Sequence, residues 1–195
     1  MTTRDDAILD AALQVVELEG LRGATTRRIA DVAGVNEVTL FRRFGSKDQL
    51  LCEAFRRRGT TLDALLPSEP VDPEAELSAW VMGHAVHLHR SRSLIRSALT
   101  EMVAHPMVCS AAHARPRQIA AMLETYLERL RQSGRAPGDW SASAATRMLM
   151  GALFGELVAD PMMNESTHEF DPEAIAARYV PLLLRAIGVE RGPAR

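Results

Sequence analysis

The stretch from Thr25 to Leu51, TTRRIADVAGVNEVTLFRRFGSKDQLL, leaves the chain little choice of local structure. Ile29, Val32 and Ala33 recur at the i, i+3, i+4 spacing of a helix with one buried stripe, and Thr25 stands where an N-cap belongs. Gly34 tolerates the positive φ that closes such a helix, and Val35 offers the turn an apolar plug. Asn36 can cap a second helix whose Leu40 and Phe44, four apart, face inward and leave Glu37, Val38, Arg42 and Arg43 on other faces. Ser46 and Gln49 form a capping box for a third helix beginning at Lys47. This is a helix-turn-helix, whose second helix is shaped to enter a DNA major groove. The free amides that open the third helix, with the Lys47 ammonium, suit a phosphate.

The rest of the chain reads as support for this head. From Arg4 to Leu18 the residues Ile8, Ala11, Ala12, Val15 and Val16 mark an amphipathic bracing helix, which Gly20 and Gly23 end. The helix from Lys47 buries Leu50, Leu51, Ala54 and Phe55 and can run past Arg58 toward Leu65, joining head to body. PSEPVDP, from Pro67 to Pro73, is the clearest break. Asp72, Pro73 and Glu74 then supply N-cap, N1 proline and first-turn acid for a helix to about Arg90. Helices over 94–103 and 117–131 are expected next, separated by a loop with Pro106 and Pro116. Asp139 can cap a helix to about Val158, and Asp171 with Pro172 opens the last helix, which stops at Gly188. With only 5% aromatic residues and frequent alanine and leucine, the expectation is an all-α chain of about nine helices. A three-helix head covers residues 1–50 and a helical domain residues 51–195.

Charge is distributed unevenly. The whole chain has a net charge of −2, yet the segment Arg22–Arg58 holds nine bases (Arg22, Arg27, Arg28, Arg42, Arg43, Lys47, Arg56, Arg57, Arg58) against four acids (Asp31, Glu37, Asp48, Glu53), a balance of +5. A basic module on an acidic body fits a head that meets nucleic acid, and solvated helix surface is the blander source of such a run. Cys52 and Cys109 are too few and too far apart for a disulfide framework or a zinc site, which points to a reducing compartment. The amino terminus, MTTRDDAILD, has acids where a signal peptide needs bases, and no apolar run approaches the roughly 20 residues of a membrane span. A cytoplasmic protein without membrane association is expected.

Through Thr25, Ile29, Ala30, Ala33, Gly34, Val35, Thr39, Leu40, Phe44, Ser46, Lys47 and Leu50, the head resembles that of the tetracycline-repressor (TetR) family of bacterial transcriptional regulators. The resemblance is detailed over residues 5 to 55 and architectural beyond. It implies a homodimer of helical subunits, each with an amino-terminal DNA-binding head and a carboxy-terminal domain for effector binding and dimerisation. It further implies that Thr26, Thr39, Arg43 and Lys47 hold phosphates of a double-stranded operator, and that Arg27, Asn36, Glu37, Val38 and Arg42 stand near base edges, with Thr25 and Phe41 on the same surface. Three positions depart from the family pattern. Phe41 replaces a frequent tyrosine and Arg43 a common histidine. Glu37 puts an acid where a neutral or basic residue is usual. Either it accepts a hydrogen bond from cytosine N4, or it points along the groove edge and only weakens nonspecific binding.

In the body, Trp80, Met82, His84, His87, Met102, Met122 and Tyr126 fall on the helices that enclose the effector pocket in that family, a lining suited to a small apolar ligand with a few polar handles. Ordinary core at helical spacing is the alternative for each. His84 and His87, three apart, have no acidic or cysteine partner at ligand spacing, so no metal is expected. Cys109, with His105, His113 and Arg115 nearby, is either an oxidant-sensing thiol or an incidental one. The resemblance places dimer contacts on the helix with Ala144, Gly151 and Gly155 and on the last helix at Tyr179, Leu182 and Leu183. No nucleophile–base pair, phosphate loop or metal set appears, so neither an enzyme nor a cofactor is expected. The expected function is a ligand-responsive regulator, a repressor released from a palindromic operator by a small apolar effector; a DNA-binding interaction protein without a ligand is the alternative.

Overall fold

Every regular element among the described residues is helical, and most begin or end where a local side chain gives the reason. The computed structural model describes residues 4–58, 66–101, 106–159 and 169–189. Its eight α-helices are α1 (Arg4–Gly23), α2 (Thr26–Ala33), α3 (Glu37–Phe44), α4 (Lys47–Arg58), α5 (Pro73–Glu101), α6 (Pro106–Gln132), α7 (Ala142–Phe154) and α8 (Pro172–Ala186), with a π-helical turn at Gly155–Ala159 after α7. The chain forms two compact units, one of Met1–Thr61 with Ser91–Arg117 and one of Leu62–Arg90 with Gln118–Arg195.

The first unit is built on α1. Ile8, Leu9, Ala12, Leu13, Val15 and Val16 of that helix meet Ile29 and Ala30 of α2, Leu40 of α3, and Leu50, Leu51 and Ala54 of α4 in a single apolar core, against which Val35, Phe44 and Phe55 pack. Leu94, Val108 and Ala111 join the same core, and the Ser97 hydroxyl donates to the Glu17 carbonyl at 3.5 Å. Gly20, expected to end α1, instead interrupts it: with φ 75° and ψ 175° it takes a conformation that disfavours any side chain, and the helix resumes as far as Gly23.

Sequence propensity misplaced two breaks. The interruption expected between Arg90 and Leu94 is absent, because Ser-Arg-Ser lacks a glycine or proline and Ser91 is buried together with Leu94 and Ala98. Residues 106–116, expected as a loop, are helical. Pro106 occupies the first helical position, where its missing N–H costs nothing. Pro116 lies inside α6 at a cost of about 3 kcal/mol, offset by the burial of Val108 and Ala111 before it and Ile119 and Leu123 after it. Ser141, rather than Asp139, caps α7, accepting from the Ala144 amide at 3.2 Å. The turn that returns the Trp140 indole N–H to the Ala136 carbonyl delays the helix start past Asp139. Asp171 caps α8 as its position predicts, accepting from the Glu173 and Ala174 amides.

In the second unit a carboxylate fastens the start of α5. Glu76 accepts the Val71 and Asp72 amides through Oε1, both at 2.9 Å, and the buried Tyr126 hydroxyl through Oε2 at 2.6 Å. Burial alone would push the Glu76 carboxyl up, but the hydrogen bonds from Tyr126, Asp72 and Val71 and the Arg135 charge hold it below its ordinary range. Burial, then the Glu76 bond and charge, drive the Tyr126 phenol far above its ordinary value. A lowered acid stabilises the fold above its unfolded pKa and loses that contribution as pH falls, whereas a raised phenol stabilises below about pH 10 and loses its contribution as pH rises beyond it. Urea unfolding is therefore expected to show a midpoint that drops both below about pH 4.5 and above about pH 10. Tyr126→Phe should cost about 1–2 kcal/mol at neutral pH and flatten part of the alkaline limb, leaving the share of Tyr179, whose phenol is also raised.

Candidate nucleic-acid interface

Local capping builds the exposed face of the head. Thr25 (φ −77°, ψ 152°) caps α2, its hydroxyl accepting from the Arg28 amide at 3.2 Å. Gly34 ends that helix in the left-handed region at φ 65°, ψ 35°. Asn36 caps α3 through Oδ1, which accepts the Val38 amide at 2.8 Å, and Ser46 accepts the Gln49 amide at 3.2 Å at the head of α4. With Leu40 buried and Phe44 packed on the core, α3 turns the i, i+3, i+4 strip of Val38, Phe41 and Arg42 outward. Val38 is 70% and Phe41 50% exposed. Bulky apolar side chains held in water at this density on one short helix suit a surface that covers them, such as thymine methyls and sugar edges.

The expected polar contacts divide into free and engaged groups. Arg27 and Arg42 are exposed and make no hydrogen bond or ion pair among the described residues. Arg43 is paired with Asp5 at the start of α1. Both partners are well exposed, so the pair is worth at most about 1 kcal/mol and yields readily to a phosphate. Lys47 donates to the Leu21 carbonyl at 2.6 Å, which spends one of its three protons and leaves two for an anion. Thr39 is partly buried in the first turn of α3. Thr26, expected at a phosphate, donates its hydroxyl to Glu37 Oε1 at 2.5 Å.

The basic run is also less isolated than its sequence suggests. Asp5 pairs with Arg43, Asp6 with Arg57 and Glu19 with Arg28, all three acids coming from α1, outside the segment in which the positive balance was counted. From Arg4 to Arg58 the sequence carries ten bases and nine acids. The role of these acids as counter-ions depends on how α1 packs, which no local pattern encodes.

Of the body candidates, Trp80, His84, His87, Met122 and Tyr126 lie in the second unit. Trp80 and His84 are buried and stacked, ring centroids 5.2 Å apart, and His87 continues the ladder at 6.5 Å. Met122 is partly buried, and the Tyr126 hydroxyl is committed to Glu76. Met102 and His105 fall outside the described residues, as does the side chain of Cys109. Cys52 is buried, and its burial raises the thiol, an inert setting. Between α7 and α8 an open apolar groove of about 310 Å³ is lined by Ala144, Met148, Leu149, Tyr179, Leu182 and Leu183 among others. Met148 is 65% and Leu182 51% exposed beside it. Glu156 of the π-turn accepts Tyr179 at 2.5 Å and Arg178 at 2.9 Å. No helix among the described residues is long and apolar enough to cross a membrane.

Residues 8–54 match the sequence model of the bacterial regulatory proteins of the tetR family. The chain is 22% identical over 190 residues to the uncharacterized HTH-type transcriptional regulator YvkB of Bacillus subtilis, covering 97% of this chain and 100% of that one. Its fold is similar to that of a TetR transcriptional regulator from Agrobacterium tumefaciens, with a TM-score of 0.73 at 23% identity over 97% of this chain and 96% of the other. A second similar fold is the transcriptional regulator FadR from Bacillus subtilis, solved in complex with stearoyl-CoA, with a TM-score of 0.71 at 18% identity over 93% and 98% of the two chains.

Because Arg42 is free and on the exposed strip, Arg42→Ala is expected to weaken binding to duplex DNA and to lower the slope of log K against log salt by about 1. Arg28→Ala, on α2 and outside the exposed strip of α3, should leave that slope unchanged. Fluorescence anisotropy across a salt series measures both.

Proposed function

We propose that this chain, a DNA-binding transcriptional regulator of the TetR family, acts as a homodimeric repressor that a small apolar effector releases from a palindromic operator. In this reading residues 1–50 are the DNA-binding head and residues 51–195 the domain for effector and partner. Thr25, Thr39, Phe41, Arg43 and Lys47 line the backbone of the operator, while Arg27, Asn36, Glu37, Val38 and Arg42 approach its bases.

The observation that carries the proposal is the uncovered apolar face of α7 and α8. Ala144, Met148, Gly151 and Gly155 follow one another at helical spacing along α7 and the π-turn, with Phe154 and Leu182 also left in water. A Cβ at Gly151 or Gly155 would meet nothing within 4 Å, so the space beside these glycines is open to a second helix. Packing this face on its symmetry mate makes a four-helix bundle and fixes the separation of two heads, as a palindrome requires.

Effector release follows from linkage. A ligand that binds the body better when the heads are wrongly spaced draws the population off the operator by its differential affinity, typically 1–3 kcal/mol of coupling. We place such a ligand near the stacked rings of Trp80, His84 and His87, of which Trp80 and His84 are buried. A fold shared with a regulator solved with stearoyl-CoA is compatible with an apolar occupant.

Gly151→Leu separates the dimer from the monomer's own fold. With open space at that Cβ, the variant should keep its helical circular dichroism, sediment as a monomer and lose at least about 100-fold in operator affinity as the second head is uncoupled. A wild-type chain that sediments as a monomer on its operator overturns the dimer. Selection of bound sites from genomic DNA, followed by a reporter on the selected promoter with and without the protein, tests palindrome and repression. A screen of apolar acids and aromatics for release from that site tests the effector.

A further inference from the structure

We infer that Glu37 reads a cytosine in each operator half-site and that Thr26 is the residue that aims it. This assignment rests on the DNA-binding role proposed above and reassigns Thr26, whose position suggested a phosphate contact. Thr26 opens α2 and Glu37 opens α3, eleven residues apart, and the turn at Gly34–Asn36 folds the two helix starts together so that the threonine hydroxyl donates to Glu37 Oε1 at 2.5 Å. A hydroxyl has one proton. Spent on Glu37, it leaves Thr26 nothing to give a phosphate.

The same bond changes what Glu37 can do. A glutamate at the first position of a recognition helix lies where base edges are closest, and unrestrained it would sample many rotamers beside a backbone that repels it. Tethering Oε1 removes much of that freedom before DNA arrives and leaves Oε2 as an acceptor. In the major groove guanine and thymine present acceptors to it, and adenine sets its N7 acceptor beside its N6 donor. Cytosine N4 is the donor that answers a carboxylate without an acceptor alongside. At every other base the acid stands unanswered near phosphates, so it selects by penalising wrong sites as well as by favouring the right one.

The test is selection of bound duplexes from a random pool with the wild-type chain and with Glu37→Gln, Thr26→Val and Thr26→Ser, each checked for helical content. The expected result is one cytosine per half-site for the wild type. Its preference should fall by about fivefold or more in Glu37→Gln and in Thr26→Val, the lower end of what one wrong base pair costs. Thr26→Ser, which keeps the hydroxyl, should retain it. The double variant should lose no more than either single one. A Thr26→Val variant that binds all sequences more weakly by one factor, with an unchanged site preference, makes Thr26 a phosphate contact and overturns the inference. So does an unchanged preference in Glu37→Gln, which settles the matter even if Thr26→Val fails to fold. A wild-type chain that selects no sequence overturns the DNA-reading role itself, and this assignment with it.

Discussion

Neither α2 nor α3 can stand alone. Each has eight residues, below the roughly 12–15 that even good helix formers need in water. They exist because Ile29, Ala30 and Leu40 sink into a core floored by α1 and α4, and because Thr25, Asn36 and Gly34 satisfy the backbone at their ends. Stability and recognition are thereby placed on opposite sides of the same two short helices. The buried side is constrained by packing, where losing a few methylenes costs several kcal/mol. The outward side, with Val38, Phe41 and Arg42, contributes little to folding and is free to differ between proteins that share the framework.

How far the sequence could be read depended on the range of the interaction. Caps and turns were legible because they act within three or four residues: Thr25, Asn36, Ser46 and Asp171 all accept the amides that their positions predict. The long helices α5 and α6 were not, since Ser91 and Pro116 are weak or unfavourable helix residues whose conformation is decided by burial around them. Least legible was the wiring of charged groups. That Thr26 bonds to Glu37, that Lys47 reaches the Leu21 carbonyl and that Arg43 meets Asp5 are facts of tertiary packing between helices whose separate sequences are unremarkable. The apolar face of α7 and α8 lies between these extremes. Its small residues announced close helix approach, but only the folded chain shows that Ala144, Met148, Phe154 and Leu182 are exposed rather than internal core.

Two chemistries of recognition coexist on the head. The exposed strip of α3 is largely apolar around Arg42, while the start of the helix carries a tethered acid. In the proposed role, together they favour discrimination among bases over indiscriminate attraction to phosphate. The acids of α1 reinforce that balance, because Asp5, Asp6 and Glu19 sit on arginines that would otherwise add to a uniform positive field.

The near-cancellation of ten bases by nine acids between Arg4 and Arg58 bears on how the molecule spends its time. Adhesion to arbitrary DNA grows with each phosphate neutralised, and a genome offers about 10⁶–10⁹ wrong sites for every right one. A strongly basic head leaves most copies parked along the chromosome, a reservoir that refills an operator as soon as it is vacated. A nearly neutral head keeps that reservoir small. In the proposed role, fewer molecules per cell then suffice to find the site, and a displaced one is replaced slowly.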